Sequence, residues 1–162
     1  MKVLGIDPGY GRCGMAVVER DNGKDRLIFS ECVETSADDE FVRRLSAVTL
    51  RCAALLEKYE PAALSIEKLY FNANQKTAMR VAEARGAIIE CATEHGVEVF
   101  EYTPAQIKTA TSGFGKADKK QMAAMLHLLI KIEKDIQHDD EYDAIAAAVA
   151  HLSIARPLLR VV

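Results

Sequence analysis

Two hydrophobic periods alternate along the chain, and the change of period marks the predicted elements. Apolar runs of strand type are short and bounded by turn residues, and they cover residues 1–7, 13–20, 25–35, 62–70 and 97–103. Apolar residues at helical spacing cover residues 38–60, 76–96, 104–113, 116–133 and 139–155. A hairpin meander followed by helix-connected strands predicts an α/β protein, with a five-stranded mixed sheet flanked by helices on both faces. We expect one domain over residues 1–162.

Several residues indicate where the predicted helices begin and end. Asp38 or Asp39 is placed to cap the first helix, and Gly96 to close the second. Pro104 suits the first position of the third helix, because its missing N–H would have no helical partner there.

The bulk composition is that of a soluble globular protein, with 49% hydrophobic and 28% charged residues. No apolar run is long enough to cross a membrane, and the amino terminus shows no signal-peptide pattern, so we expect a cytoplasmic protein. The formal net charge of -3 argues mildly against a nucleic-acid partner unless the basic residues cluster. The four cysteines show no metal-site spacing to one another or to a histidine, and are predicted to be buried reduced thiols.

Asp7 ends the first strand, immediately before a Pro8-Gly9 pair that suits a type II turn. Because side chains alternate along a strand, Asp7 shares a face with Gly5, and that glycine would leave open space beside the acid. The alternative is a plain turn-initiating aspartate, which this stretch by itself favours.

Glu67 is a charge in an otherwise apolar strand, on the same face as Ser65 and Ala63. A buried charge is costly unless it is paired or binds a metal. Pairing with Lys68 or another cation is the structural alternative, and the residue alone does not decide between the two.

The last predicted helix begins with a dense group of acids. Asp143 lies three residues after Asp140 and four after Asp139, so it shares a helical face with either of them, and spacing alone does not choose between them. Acids at a helix N-terminus also stabilise the macrodipole, but four within five residues exceeds that need. The alanine-rich continuation would let this helix lie close to the sheet. Convergence of these acids with Asp7 and Glu67 would suit two Mg²⁺ or Mn²⁺ ions acting on a phosphodiester.

Four motifs, in this order along the chain, resemble the RuvC family of Holliday-junction resolvases: "GIDPG", "IEKLYFNANQKTAMRVAEARG", "VFEYTPAQIKTATSGFGKADKKQM" and "DDEYDAIAAAVAH". The resemblance implies a ribonuclease H-like fold, a homodimer, and nicking of two opposed strands at a four-way DNA junction with two Mg²⁺ ions per site, or Mn²⁺. It assigns metal binding and catalysis to Asp7, Glu67, Asp140 and Asp143, and so selects Asp140 over Asp139. It also places Lys108 and Lys119 near the scissile phosphate.

The same resemblance implies that Tyr70, three residues after Glu67, stacks on a base at the junction. The basic residues Lys76 and Arg80, and the group Lys108, Lys116, Lys119 and Lys120, are then predicted to bind DNA. The alternative for these lysines is a solvated helix surface.

The helix that carries Met79, Ala82, Gly86 and Ile89 corresponds to the family's dimer interface, with burial against the sheet as the alternative. A branch-migration motor of the RuvA and RuvB type is a further possible partner. Histidines 95, 127 and 151 are expected to be structural, and His138 a loop or cap residue.

Three other functions compete with a junction nuclease. They are a ribonuclease H-like enzyme of the YqgF type that acts on RNA, a non-catalytic junction-binding module, and an actin-like nucleotide-binding module, for which 162 residues are too few.

Overall fold

A computed structural model describes residues 1–69 and 75–155 of the chain, without the side chains of residues 75 and 76. Within these ranges no helix combines the length and the apolar character that crossing a membrane requires. The strands are β1 (Lys2–Asp7), β2 (Arg12–Asp21), β3 (Lys24–Glu34), β4 (Ala63–Glu67) and β5 (Glu98–Tyr102). The helices are α1 (Phe41–Tyr59), α2 (Gln75–Glu94), α3 (Pro104–Ser112), α4 (Lys119–Leu129) and α5 (Asp139–Ile154).

The five strands form one mixed sheet in the order β3-β2-β1-β4-β5, which confirms the predicted sheet. β1, β2 and β3 are joined as antiparallel neighbours, while β4 runs parallel to β1 and β5 parallel to β4. Ile6 of β1 pairs with Ile66 of β4, so the next residue of each strand, Asp7 and Glu67, reaches the same end of the sheet.

Helices cover both faces of the sheet, as predicted. On one face Leu4, Ile6, Leu64 and Ile66 are buried together with residues of α1 and α2. On the other face Val3 and Ala63 are buried against α3, α4 and α5. The alternation of side chains therefore places Asp7 and Glu67, which follow Val3 and Ala63 at even spacing, on the α5 face.

Two helix boundaries differ from the sequence-based prediction. Neither Asp38 nor Asp39 caps α1; the N-cap is Glu40, whose side chain makes no capping hydrogen bond. α4 begins at Lys119 rather than 116, because the Asp118 side chain accepts a hydrogen bond from the Gln121 N–H in a reciprocal capping box. It ends at Leu129, where Ile130 turns to an extended backbone.

The other predicted termini are confirmed. Gly96 follows α2 with a φ of 71°, in the left-handed region that glycine enters without a Cβ penalty. Pro104 is the first residue of α3, and Thr103 before it forms a capping box with Gln106.

Helix α5 lies in direct backbone contact with β1 and β2. A Cβ at Gly5 would overlap the carbonyl oxygen of Ala144 and lie 2.7 Å from the Ala148 nitrogen. A Cβ at Gly14 would overlap the Asp140 carbonyl and lie 3.1 Å from the Ala144 Cβ. The space beside Gly5 is thus filled by α5, which corrects the expectation that it stays open beside Asp7.

A buried hydrogen bond from β4 also fastens α5 to the sheet. The Ser65 hydroxyl, fully buried in β4, donates to the Ala147 carbonyl oxygen at 2.7 Å. Because that carbonyl belongs to a helix turn packed on β1, the bond sets the position of α5 along the sheet as well as its distance.

Replacing Gly5 with alanine should therefore destabilise the protein, because the added methyl group meets helix backbone that has no room to move. We expect Gly5→Ala to lower the free energy of unfolding by about 3 kcal/mol or more, measured by urea denaturation. Gly86→Ala is the matched control within the single chain, since a Cβ there meets nothing within 4 Å, and all variants are compared at a concentration that keeps the chains monomeric. That control should be neutral or stabilising by up to about 1 kcal/mol, from helix propensity. Equal stability of the two variants would contradict the close contact.

Candidate active site

Two of the predicted acids sit at the ends of adjacent parallel strands. Asp7 and Glu67 are each the last residue of their strand, and both are partly buried. The main chain at Glu67 is held from the other face of the sheet, because Arg85 of α2 donates from its Nε to the Glu67 carbonyl oxygen at 3.0 Å. Arg85 also pairs with Glu101 of β5. This anchor was missed from sequence, where Arg85 looks like an ordinary helix surface residue.

The other two acids come from the first turns of α5. The contact of the Asp140 carbonyl with Gly14 brings this end of the helix over β1 and β2. Asp140 and Asp143 are consequently near Asp7, and both are among the charges that act on it. The structure thus gathers the four predicted acids from β1, β4 and α5.

This gathering of acids leaves the site short of positive charge. Burial, followed by the charges of Asp143, Glu67 and Asp140, raises the pKa of Asp7 to about 8, against a smaller opposing effect of Lys119. Burial and then Asp143 raise the pKa of Glu67, although Lys108 and Lys119 oppose the change. Burial also raises the pKa of Asp143. A further cation would be bound favourably here.

The structure distinguishes Asp140 from Asp139, which sequence spacing did not. Asp139 is exposed and its Oδ2 accepts from the Lys119 Nζ at 3.1 Å. Asp140 is only partly exposed, and its Oδ2 lies 3.2 Å from the Arg12 Nε. Its charge contributes to the raised pKa of Asp7. This arrangement agrees with the choice of Asp140 that the family resemblance implies.

The four carboxylates are neighbours without forming a closed set of ligands. In residues 1–69 and 75–155, the only three metal-ligating side chains with atoms all within 4.8 Å of one another are Cys32, His138 and Asp140. Side chains of Asp7, Glu67 and Asp143 would have to rotate towards one another to share an ion.

The neighbourhood of Asp140 contains residues that the sequence analysis did not place there. Cys32 of β3 lies beside His138 and Asp140, so the expectation that no histidine is near a cysteine fails in space, although it holds along the chain. His138 is the N-cap of α5, as predicted, but makes no side-chain capping bond. Burial, then the charges of Asp140 and Glu34, raises the pKa of Cys32 to about 11.

The two predicted catalytic lysines lie at the rim of the acidic group. The Lys119 Nζ is 3.1 Å from Asp139 Oδ2 and 3.6 Å from Asp143 Oδ2. Desolvation lowers the pKa of Lys119, but the hydrogen bond to Asp139 and the charge of Asp143 outweigh it and raise the pKa. Lys108 acts on Glu67, whose pKa its charge lowers.

The predicted DNA-binding residues fall into three groups. Lys116 and Lys120 are exposed, and Lys120 lines a depression with Lys119, Asp139 and Asp143. Arg80 is already engaged, with its guanidinium 4.0 Å from the centre of the Phe41 ring and 3.0 Å from Glu83. Tyr70 and the side chain of Lys76 lie outside the described residues.

The predicted dimer face of α2 is only partly exposed in the single chain. Met79 is 64% exposed, and a Cβ at Gly86 would meet nothing within 4 Å. The face of α2 that packs on the sheet carries Ala84, Ile88 and Ala92 instead. Burial against the sheet, the alternative for this group, is therefore wrong for Met79 and Gly86, whereas Ile89 is partly buried against the core on that side of the sheet.

The histidines predicted to be structural have structural contacts. His151 is buried, and its Nδ1 lies 2.9 Å from the Tyr102 hydroxyl. Burial lowers the pKa of His151, which keeps the ring neutral. The His95 Nδ1 lies 2.7 Å from the Cys91 carbonyl oxygen.

A mixed sheet of this order, with acids ending β1 and β4 and beginning α5, defines a nuclease of the ribonuclease H-like class. Solved structures agree. A Thermus thermophilus RuvC in complex with a Holliday junction substrate matches with a TM-score of 0.90 and 33% identity, over 96% of this chain and 95% of that chain. The yeast mitochondrial Holliday junction resolvase matches in fold alone, with a TM-score of 0.69 and 14% identity over 91% of this chain and 76% of its own.

Sequence comparison narrows the class to a family. The family model described as crossover junction endodeoxyribonuclease RuvC matches residues 3–151. A crossover junction endodeoxyribonuclease RuvC of Petrotoga mobilis is 43% identical over 156 residues, which cover 96% of each chain. The chain therefore belongs to the RuvC family of crossover junction endodeoxyribonucleases. The resemblance predicted from the four motifs, its fold and its enzyme class are confirmed.

Burial of Asp7, together with repulsion from the neighbouring acids, predicts that removing its charge stabilises the metal-free protein. Asp7 has a pKa of about 8 in the folded protein and 3.8 as its ordinary value, so wild-type stability falls as the pH rises between these values. The Asp7→Asn variant has no carboxyl group to ionise at this position, so its stability does not fall in this way. We expect its free energy of unfolding in EDTA to exceed that of the wild type at pH 8 by roughly 2 kcal/mol or more. The difference should shrink towards pH 5, and a variant that is less stable at pH 8 would contradict the repulsion.

Proposed function

We propose that this chain is a Holliday-junction resolvase that hydrolyses phosphodiester bonds in two opposed strands of a four-way DNA junction, during recombination and repair inside the cell. The observation that carries the proposal is the convergence of four acids from β1, β4 and α5 around a partly buried Asp7. Membership of the RuvC family supports the reaction and the substrate. A junction-bound Thermus relative with the same fold supports the same substrate.

The acids fit divalent metal ions of the Mg²⁺ or Mn²⁺ type. Their donors are all carboxylate oxygens, the ligands that these hard ions prefer. One of them, the Asp140 Oδ2, is buried and makes no hydrogen bond to the described part of the chain. We assign the ligand roles to Asp7, Glu67, Asp140 and Asp143. Two such ions, when bound, would activate water and stabilise the attacking and leaving oxygens of the phosphodiester.

The residues of the chain would position the acids and supply positive charge for the phosphate. Asp7 is paired with Gly14 of β2 and Glu67 with Tyr102 of β5, so the sheet fixes the backbone position of both acids. Lys108 and Lys119 would hold the scissile phosphate against the acids and offset the charge that develops on it. Because Lys119 already contacts Asp139 and Asp143, its ammonium group needs only a small change of direction to reach a phosphate beside them.

DNA contacts outside the catalytic site would make the enzyme specific for the junction. The exposed Lys116 and Lys120 lie at or near the same rim as Lys119 and are placed to bind the DNA backbone. Lys76 and Arg80 would extend this contact, with Arg80 exchanging Glu83 for phosphate. Tyr70 is proposed to stack on an unpaired base where the strands separate.

Cutting two opposed strands calls for two active sites related by a twofold axis, and hence for a homodimer. We assign the interface to the side of α2 that carries the exposed Met79 and Gly86 and the partly buried Ala82 and Ile89. Small residues there would let two helices approach closely. A branch-migration motor of the RuvA and RuvB type would present the junction to this dimer.

The proposal is tested with a synthetic four-way junction, a linear duplex of the same sequence and a structured RNA, each with and without Mg²⁺. We expect symmetric nicks in the junction alone, only with the metal. Asp7→Asn should bind the junction with wild-type affinity and fail to cut it, because the variant loses a metal ligand and no DNA contact. Binding without cleavage by the wild type would indicate a non-catalytic module. Preferred cleavage of RNA would indicate a nuclease of the YqgF type.

The two neighbouring aspartates at the start of α5 provide a matched pair of variants. Asp140→Asn should lower the single-turnover cleavage rate by about a hundredfold or more, since a lost metal ligand is worth several kcal/mol. Asp139→Asn removes an exposed carboxylate that pairs with Lys119, and should change the rate by less than about threefold. The opposite ranking would show that Asp139 is the ligand.

A further inference from the structure

A second group of metal-ligating side chains lies beside the acidic site. It consists of Cys32 of β3, His138 at the N-cap of α5 and Asp140 in the first turn of that helix. The three ligand atoms all lie within 4.8 Å of one another. The group extends away from Asp7 and shares only Asp140 with the proposed catalytic acids.

The donors of this group differ in kind from those of the catalytic site. A thiolate, an imidazole and a carboxylate suit Zn²⁺ and similar borderline ions, and are poor ligands for Mg²⁺. A tetrahedral ion separates nitrogen and sulfur ligands by roughly 3.5 Å. The distances between these ligand atoms would therefore shorten by about 1.3 Å at most when an ion binds.

Two groups of the site make no hydrogen bond, in the described part of the chain, that would hold them away from an ion. The His138 side chain makes no capping hydrogen bond, and the Asp140 Oδ2 makes none within the described residues. Glu34 Oε1 lies 3.0 Å from the His138 Nε2. A carboxylate on the ring of a metal-binding histidine orients that ring and makes it a stronger ligand.

The local charges favour a divalent cation. Cys32 is surrounded by the negative charges of Asp140, Glu34 and Glu141, and the positive charge of Arg12 opposes their effect. The Arg12 side chain is 54% exposed, so it can leave Asp140 for solvent at little cost when a metal ion takes its place.

We propose that Cys32, His138 and Asp140 form a binding site for Zn²⁺ or a similar ion, and that its occupation inhibits the nuclease by withdrawing Asp140 from Asp7 and Asp143. Binding replaces the thiol proton, which passes to solvent, and needs no oxidant or reductant. The binding half of this inference stands on the three side chains alone. The inhibitory half rests on the proposed function, because it requires Asp140 to serve in catalysis.

Binding is tested with Co²⁺ as a spectroscopic probe for the zinc site, in the full chain and without DNA. A cobalt–thiolate bond gives a charge-transfer absorption in the near ultraviolet, which carboxylate ligands do not give. We expect this band in the wild type, its loss in Cys32→Ala and a loss of at least about tenfold in affinity in His138→Ala. Circular dichroism would verify that the variants are folded. A wild type without the band, or a Cys32→Ala variant that retains it, would overturn the site.

Cys91→Ala is the matched control for this measurement. Cys91 also has a histidine partner, since its Sγ lies 4.0 Å from the His95 Nδ1, but that pair has no third ligand in the described chain close enough to complete a site. The control should retain the full cobalt band. Loss of the band in Cys91→Ala alone would place the thiolate ligand there and reject Cys32.

Inhibition is tested by cleavage of a four-way junction at fixed Mg²⁺ with increasing Zn²⁺. Cys32→Ala should keep the wild-type rate without Zn²⁺ and require at least about tenfold more Zn²⁺ for half inhibition. Equal sensitivity of wild type and variant would mean that Zn²⁺ acts at the catalytic acids, and would overturn the inhibitory role. If the wild type cuts no junction, the proposed function fails while the cobalt band still reports on the zinc site.

Discussion

The backbone contact of α5 with β1 and β2 is the constraint on which the site depends. Gly5 and Gly14 remove the two Cβ atoms that would hold the helix away, and the small face of alanines on α5 completes the close packing. Since Asp140 and Asp143 belong to the first turns of this helix, their distance from Asp7 follows from the contact. A fold with ordinary helix-to-sheet spacing would carry the same four acids too far apart to act together.

This packing concentrates negative charge where water is partly excluded, and the raised pKa values of Asp7, Glu67 and Asp143 express the resulting strain. The partial positive charge at the N-terminus of α5 offsets some of this negative charge, because Asp140 and Asp143 lie in the first turns of the helix. The positive charges of Lys119 and Arg12, at the rim of the site, offset a further part of the negative charge. The remaining imbalance is typical of a functional site, where local stability is sacrificed for ligand binding.

Periodicity predicted the sheet and both helical layers, and it placed Asp7 and Glu67 each on a strand face with small residues. It did not reveal that β1 and β4 are parallel neighbours, which is what sets the two acids side by side. Spacing left Asp139 and Asp140 equivalent, since both share a face with Asp143, and only the docking of α5 separates them. The proximity of Cys32 and His138 had no signal in sequence, because β3 and the N-cap of α5 meet only in the folded chain. Gly5 was correctly marked as unusual, but the space it provides holds a helix.

The order in which these parts are made has a consequence for the cell. β1 and β2 leave the ribosome early, whereas α5 is translated after every other element described here. Until it emerges, Asp7 and Glu67 lack the two acids that α5 carries. On the proposed mechanism, a nascent chain held at any earlier codon would therefore have an incomplete site and would not cut DNA.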